Sequence, residues 1–205
     1  MNHPALDLIR QRVSANRFDS SFEIEEKTIH ELVFYASEAP SAYNLQNWRF
    51  IAVRSPARKR ALMALAYDQE KVVDAAVTFI VCGVLEPHRG VCTAMQPFHE
   101  DGHIDRDFLD EWVEEAVCAY RDEPGMQRDE AIRSASLAAM NLMIAAQALG
   151  LASGPMIGFD AAGVSTDFEL APTEIPVMLV AVGRAAPGNW PRKRRRPVEQ
   201  VLAVV

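Results

Sequence analysis

The N-terminal run IRQRVSANRF brings a guanidinium, a hydroxyl and an amide close together. Side chains alternate in an extended segment, so Arg12, Ser14 and Asn16 are predicted to share one face. This set suits a phosphate or the oxygen-rich edge of a ring. Charges of this kind are also ordinary at a solvated helix end. The run alone therefore leaves both interpretations open.

Five consecutive cations, Arg192 to Arg196, lie near the C-terminus of a chain with 21 basic and 28 acidic residues and a net charge of -7. Three interpretations compete: a nucleic-acid patch, a solvated tail, and a clamp for one phosphate. General affinity for nucleic acid or anionic membrane needs broad positive potential, which this acidic chain lacks. We therefore expect neither nucleic acid nor membrane as a partner.

Two loops could add binding groups. PSAYNLQNW, residues 40 to 48, is rich in hydroxyl and amide side chains, and GPMIGFD, residues 154 to 160, has two glycines bracketing Pro-Met-Ile. Loops on a rigid scaffold often carry binding groups, and glycine lets a flat ligand approach the backbone. Ordinary turns explain both segments as well.

Several common catalytic signatures, namely HExxH, GxSxG, the Walker loop and GxGxxG, do not occur in the sequence. Metalloprotease, serine hydrolase, P-loop and Rossmann functions therefore lose their main support. His99 and His103 are four residues apart, but Gly102 and acidic neighbours favour a surface loop over a metal pair. The three cysteines lack CxxC spacing, so neither a disulfide framework nor a metal site is expected.

The expected compartment is the reducing cytoplasm. The N-terminus lacks the apolar core of a signal peptide, and no apolar run reaches the roughly 18 to 20 residues that span a bilayer.

Hydrophobic periodicity predicts helices alternating with buried strands, which indicates one domain of the α/β or α+β class. The predicted helices cover about residues 24–38, 105–122 and 128–150, and one or two more cover 54–76, with Ser55 as the candidate N-cap. The predicted strands cover 48–53, 75–85 and 175–184. Residues 86–103 are predicted to be irregular, because they combine Pro, Gly and His.

The segment from 128 to 150 is apolar almost all round, which predicts a fully buried central helix ending at Gly150. Leu137, Met140, Leu142 and Met143 are interpreted as core packing rather than a ligand box. Cys118 is expected to be an inert, buried thiol.

Five motifs, in order along the chain, resemble the flavin-dependent nitroreductase family. They are RxSxN at 12–16, APSAYNLQNWRF, DQEKVVDAA, AIRSASLAAMNLMIAAQALGL followed by GPMIGFD, and the KxRxP of Lys193, Arg195 and Pro197. The likeness runs from about residue 7 to residue 200.

The resemblance implies an α+β, three-layer fold in one domain over residues 1–205, with a central mixed sheet surrounded by helices. It also implies an intertwined homodimer in which the tail, about 186–205, wraps the partner subunit. Two FMN sites would lie at the interface with the cofactor tightly bound. NADH or NADPH would reduce the flavin and leave before an acceptor enters the same pocket.

Carried over by position, the resemblance assigns a cofactor-binding set. The set is Arg12, Val13, Ser14, Asn16, Pro40, Ser41, Asn44, Gln69, Lys71, Ile157, Gly158, Lys193 and Arg195. Within it, Arg12 and Ser14 would hold the phosphate and ribityl end, and Lys193 and Arg195 would bind the phosphate. Asn16 would face the pyrimidine ring, and Gln69 and Lys71 would contact the ring edge and the ribityl chain. Pro40, Ser41 and Asn44 would reach in from the partner. The backbone at 157–158 would lie against flavin N5, with no side chain needed as a catalytic acid. Aromatic contacts to the acceptor are expected from Tyr43, Phe98 and Tyr120.

The five cations from 192 to 196 are predicted to have two different roles. Alternate residues of an extended tail face one way, so Lys193 and Arg195 are predicted to face the phosphate. Arg192, Arg194 and Arg196 would face acidic surface or solvent.

Two positions depart from the family pattern. Asn16 stands where many relatives carry a cation near flavin N1, and an amide should stabilise reduced flavin less. Asp68 stands where asparagine is common, and a carboxylate accepts hydrogen bonds but cannot donate them. Gln69 is the candidate for the missing donor.

The resulting prediction is an FMN-dependent oxidoreductase that moves electrons from NAD(P)H to nitroaromatics, quinones or similar flat electrophiles. Two alternatives stay open: a flavin-binding protein of this fold without turnover, and a family member that reduces an aldehyde or enone.

Overall fold

The computed structural model describes residues 3–205, so the first two positions of the expected single domain lie outside the described residues. The strands are β1 (Trp48–Val53), β2 (Val77–Val84), β3 (Ala152–Met156) and β4 (Glu174–Gly183). The helices are α1 (Pro4–Gln11), α2 (Glu26–Ser37), α3 (Pro56–Leu65), α4 (Lys71–Asp74), α5 (Val91–Glu100), α6 (Arg106–Tyr120), α7 (Pro124–Ala148) and α8 (Ala161–Asp167). Among residues 3–205, none of the helices combines the length and apolar character needed to cross a membrane.

The four strands form one sheet in the order β1-β2-β4-β3, and every neighbouring pair is antiparallel. A mixed sheet was expected, and these strand pairs correct that detail. A parallel pairing occurs as an isolated bridge between Ser14 and Ser153, which lies on β3. The α+β class is confirmed, and the sheet carries the N-terminal segment along its β3 edge.

The sheet separates two apolar layers, because β2 and the second half of β4 are buried on both faces. Phe79 and Val180 belong to the cluster that packs under α2 and α7. Their neighbours Ile80 and Leu179 belong to the opposite cluster, with residues of α3, α4 and α8. This period-two alternation places one helical layer on each side, as a three-layer fold requires.

The boundaries of α3 follow from its local chemistry. Ser55 accepts a hydrogen bond from the Arg58 amide over 3.3 Å, and Pro56 occupies the first turn. Serine at the N-cap and proline at the first helical position are both preferred, because each suits the unpaired amides of a helix start. Ser55 is the predicted N-cap, and the segment predicted as one or two helices forms two, α3 and α4.

α7 begins at Pro124, earlier than predicted, and Gly150 follows its end with a φ of 73°, as its predicted role as a cap requires. The prediction of burial all round is wrong for this single chain. Leu142 and Met143 are buried in the core, whereas Leu137 and Met140 are exposed. The helix therefore has one apolar face in the core and another on the surface.

Residues 86–103 are not irregular. α5 forms there and packs with α6 in a smaller core that contains Val91, Met95 and Leu109. Pro97 lies inside α5, and an internal proline usually argues against a helix. Tertiary packing outweighs that local signal here.

β3 was missed because it contains Gly154 and Pro155, which usually mark turns. It is an edge strand, where a proline without an amide hydrogen is tolerated. The prediction for Cys118 is also wrong, since that thiol is exposed and Cys82 is the buried one.

Candidate functional site

A pocket of about 280 Å³ lies where the two ends of the chain meet. We call it the chain-end pocket. It is lined by Arg12, Val13, Ser14, Asn16, Pro155, Trp190, Pro191, Arg192, Lys193 and Arg195. Four of these side chains are cationic and none is anionic, so the pocket suits an anion.

Arg12 ends α1 and turns its side chain into this pocket. Its Nη1 is buried and has no hydrogen-bond partner within the described residues. Burial lowers the pKa of the guanidinium, and the charges of Arg192 and Arg195 lower it further. A buried donor without a partner is costly, so this group favours an incoming acceptor.

The segment from Arg12 to Asn16 is fixed by β3. The Ala15 amide donates to the Ser153 carbonyl over 2.9 Å. At Gly154 an added Cβ would lie 2.3 Å from the Ala15 oxygen, so only glycine allows this approach. The sequence suggests Gly154 as a contact for a flat ligand. In the structure it instead lets β3 pack closely against the N-terminal segment.

Arg192 lies only partly as predicted. Its Nη1 donates to the carbonyl oxygens of Ile9 and Arg10, and also to that of Arg12 over 2.9 Å. These oxygens belong to the C-terminal end of α1, where a cation is favoured by the helix dipole. Arg192 is exposed to solvent as predicted, but it also lines the pocket and binds the backbone of α1, which the prediction did not include.

Lys193 and Arg195 both line the pocket, as predicted from their alternation. The Lys193 ammonium lies 5.2 Å from the centre of the Trp190 ring. Arg195 donates from Nη1 to the Lys193 carbonyl over 3.0 Å. The tail thus presents its two predicted cations beside Arg12.

Gln69, Lys71 and Gly158, which belong to the predicted cofactor set, take part in two contacts, one of them with Asn16. Lys71 Nζ is 3.4 Å from Asn16 Oδ1, and burial lowers the pKa of this lysine. Gln69 Nε2 donates to the Gly158 carbonyl over 2.7 Å and to the Ala66 carbonyl over 3.1 Å. Both of its N–H groups are therefore occupied in the structure, which corrects its prediction as the donor that Asp68 lacks. The Ile157 side chain is 80% exposed. These contacts form a second group next to the cationic one.

Asp68 precedes this group and is exposed, with a φ of 56°. Aspartate tolerates this left-handed conformation better than most residues. The preceding Tyr67 shares it, with a φ of 54°.

The loop from 40 to 46 stands apart from the chain-end pocket, and none of its described residues lines it. Pro40 and Asn44 are exposed, and Ser41 Oγ accepts a hydrogen bond from the Gln46 amide over 3.0 Å. Tyr43, Asn44 and Gln46 all have positive φ values near 50°. Such backbone strain in non-glycine residues concentrates at functional sites.

The three predicted aromatic contacts differ in exposure. Tyr43 packs edge-on against Trp112 and Tyr120, with ring centres 6.1 and 6.4 Å apart. Phe98 is exposed and lies over His103. Tyr120 is only 4% exposed and contacts buried Glu130 through its hydroxyl at 3.5 Å. It is a core residue, which corrects its prediction as acceptor surface in this chain.

Burial raises the pKa of the Tyr120 hydroxyl, with further contributions from Glu130 and Tyr43. Within the described residues, no cluster of three or more His, Cys, Asp or Glu side chains could hold a metal ion.

The model of the nitroreductase family matches residues 9–184 of the chain. The chain belongs to the nitroreductase family. "Putative NAD(P)H nitroreductase YodC" of Bacillus subtilis is 32% identical over 180 residues, which cover 88% of this chain and 89% of YodC.

Solved structures support this membership of the nitroreductase family. The structure of "putative nitroreductase ydfN" from Bacillus subtilis has a TM-score of 0.92 and 30% identity, and each chain is covered to 98%. A "putative nitroreductase in complex with FMN" from Exiguobacterium sibiricum has a TM-score of 0.90. Its identity is 23% and the coverage is 100% of this chain and 99% of the other, so this likeness shows the fold.

In this member of the nitroreductase family, sequence reasoning overlooked Asn189 and Trp190. Asn189 makes four hydrogen bonds to the backbone at 16–17 and at Ala186. Trp190 lines the chain-end pocket beside Lys193. The motif NWP offers a weak signal, because asparagine before an aromatic residue is also common in ordinary turns.

Proposed function

We propose that this protein is an FMN-dependent oxidoreductase that takes electrons from NADH or NADPH and delivers them to nitroaromatics, quinones or similar flat electrophiles. The observation that carries the proposal is the buried, unpartnered Nη1 of Arg12 in a pocket lined by four cations. Membership of the nitroreductase family and the FMN named for the Exiguobacterium structure support the choice of cofactor.

The residues present fit the phosphate end of FMN. Its phosphate is a dianion, and Arg12, Lys193 and Arg195 supply opposite charge with several donors. Ser14 is exposed in the same pocket and can donate its hydroxyl. Val13 adds apolar surface beside these groups. Such charge-assisted contacts orient the cofactor as well as hold it.

The second group of residues would hold the ring end. Asn16 and Lys71 would lie at the pyrimidine edge, where Lys71 supplies a cation that Asn16 lacks. Gln69 holds the carbonyl of Gly158, which steadies the backbone at 157–158. When bound, FMN accepts hydride from NAD(P)H and passes electrons to the acceptor, while the protein orients both partners.

We further propose a homodimer in which loop 40–46 completes the partner subunit's site and the tail at about 186–205 wraps that subunit. Several large apolar side chains on α2 and α7, and one directly after α7, are exposed in the single chain, namely Phe34, Tyr35, Leu137, Met140 and Leu149. The last residues of the tail are exposed and apolar as well. Large apolar side chains exposed on two helices that pack together favour burial by another chain.

Acceptor specificity separates the leading function from its alternatives. Initial rates are measured with NADH and NADPH against a quinone, a nitroaromatic, an aldehyde and an enone. Parallel double-reciprocal lines with the quinone or nitroaromatic support the proposal, because the donor leaves before the acceptor binds. Turnover restricted to the aldehyde or enone supports the family alternative, and bound FMN without any turnover supports a binding role.

A further inference from the structure

The C-terminal tail returns to the N-terminal segment immediately after β4. Asp19 donates its amide to the Arg184 carbonyl over 2.9 Å, and Ala186 donates to the Arg17 carbonyl over 3.1 Å. An antiparallel bridge joins Phe18 to Ala185 between them. The two chain ends therefore run side by side before they reach the chain-end pocket.

A tight turn then redirects the tail. Pro187 and Gly188 occupy it, and Gly188 has a φ of 89°, which lies in the region that favours glycine. Asn189 follows this turn and points its side chain back across the N-terminal segment.

Every donor and acceptor position of the Asn189 side-chain amide has a hydrogen-bond partner. Oδ1 accepts from the Asn16 amide over 2.7 Å and from the Arg17 amide over 3.0 Å. Nδ2 donates to the Arg17 carbonyl over 2.8 Å and to the Ala186 carbonyl over 2.9 Å. A carboxamide has one oxygen with two lone pairs and two N–H groups, so each is satisfied here.

We propose that Asn189 is a positioning residue that sets the tail cations Lys193 and Arg195 against Arg12. Asn189 does not itself line the chain-end pocket. On the other side, the segment that carries Arg12 keeps its own attachment through the Ala15 bond to Ser153. Removing the Asn189 amide therefore frees the turn that leads into the tail, while Arg192 still attaches the tail to the end of α1. The positions of Lys193 and Arg195 then change more than that of the N-terminal segment.

This assignment rests on the proposed FMN function and predicts a selective effect. FMN and riboflavin share the ring and the ribityl chain, and only FMN carries the phosphate that the tail cations would bind. A displaced tail should weaken FMN binding more than riboflavin binding, because riboflavin depends on the Asn16 segment but not on the tail cations. A loss of general stability would weaken both ligands together.

The test uses full-length apo-protein titrated with FMN and with riboflavin, followed by flavin fluorescence. Asn189→Leu has a similar shape but no polar atoms, and its ratio of FMN to riboflavin affinity should fall by about tenfold or more. Gln200→Met is the matched control, because it removes another amide from the tail, and its ratio should equal that of the wild type.

Asn189→Asp provides a second variant if Asn189→Leu does not fold. Its carboxylate keeps the acceptors but faces two carbonyl oxygens without a proton to donate. The two facing carbonyl oxygens should raise the pKa of this carboxylate above its ordinary value of about 3.9. The ratio of FMN to riboflavin affinity, relative to the wild type at each pH, should therefore be low at about pH 8 and recover partly near pH 5, where protonation restores one donor.

The outcomes separate the two proposals. If the wild type binds FMN far better than riboflavin and both Asn189 variants keep that preference, the positioning role is overturned and the proposed function stands. If the wild type binds neither flavin, the proposed function fails and the positioning role fails with it.

Discussion

Arg192 donates from Nη1 to the carbonyl oxygen of Arg12 over 2.9 Å, across 180 positions of sequence. The same nitrogen binds two more carbonyls at the end of α1, so a tail side chain caps the first helix. Because cations are stabilised at a helix C-terminus, this contact holds the tail against α1. The chain-end pocket exists only where these two segments meet.

Arg195→Ala should weaken FMN binding far more than Arg194→Ala. Arg195 lines the chain-end pocket and Arg194 does not. Losing one charged hydrogen bond to the phosphate should raise the dissociation constant about tenfold to a hundredfold. The measurement is fluorescence titration of each apo-protein with FMN. Equal losses in the two variants would contradict the two roles predicted for the cations from 192 to 196.

Gly154→Ala should destabilise the protein by about 1–3 kcal/mol, because the new methyl would overlap the Ala15 carbonyl. FMN affinity should fall with it, since that contact fixes the Arg12–Asn16 segment. Gly125→Ala, in α7, is the control because its Cβ would meet no atom within 4 Å. Urea denaturation of both variants tests this, and a stable Gly154→Ala would disprove the packing argument.

Glu130→Ala should lower the free energy of unfolding by about 1–3 kcal/mol or more. Glu130 is 2% exposed and accepts from Ser134 Oγ over 2.7 Å, so its loss leaves a buried hydroxyl unpaired. Asp129→Ala removes an exposed carboxylate on the same helix and should change stability by less than about 0.5 kcal/mol. Urea denaturation compares the two, and similar losses would argue against the buried network.

Cys82 should make the free energy of unfolding fall as the pH rises above about 9. Burial raises the pKa of this thiol from 9.0 to about 12. Above about pH 9 the unfolded thiol ionises while the folded thiol keeps its proton, so the unfolded state binds fewer protons. The free energy of unfolding should then fall by about 1.4 kcal/mol per pH unit from this group.

The Cys82 contribution is isolated with Cys82→Ala, which lacks a titrating group at that position. Urea denaturation of both proteins from about pH 8 to pH 11 covers the window above the unfolded pKa. The difference in stability between wild type and variant should shrink as pH rises. Parallel curves would show that the thiol titrates alike in both states.

Asn16→Lys should raise the reduction potential of bound FMN. A second cation beside Lys71 would stabilise the negative charge of reduced flavin, and about 1.4 kcal/mol corresponds to about 30 mV for a two-electron couple. Asn16→Leu is the uncharged control. Equilibration with redox dyes gives the potential, and an unchanged or lowered value for the lysine variant would refute the idea.

Sequence patterns predicted the strands whose apolar residues form a clear local pattern. β1 has the predicted limits, and the continuous apolar run of β2 is a strand covered on both faces. α5 and β3 were missed because Pro97 and the pair Gly154–Pro155 act as breakers locally. Tertiary contacts decide both cases, and such contacts leave little trace in a local window.

In the candidate site, too, local patterns predicted some residues correctly and tertiary contacts decided others. Motif order located Arg12, Lys193 and Arg195, which the structure brings together in one pocket. Alternation failed for Arg192, since its direction depends on carbonyls of a helix 180 residues away. The roles of loop 40–46 stay predictions, because they depend on a second chain.

Anaerobic reduction of the FMN-loaded protein tests the central claim most directly. One equivalent of NADH or NADPH should bleach the yellow absorbance, and the bleached protein, freed of nucleotide, should recover its colour when a quinone is added. Flavin that stays yellow with both donors, or bleached protein that no acceptor reoxidises, would contradict the proposed oxidoreductase.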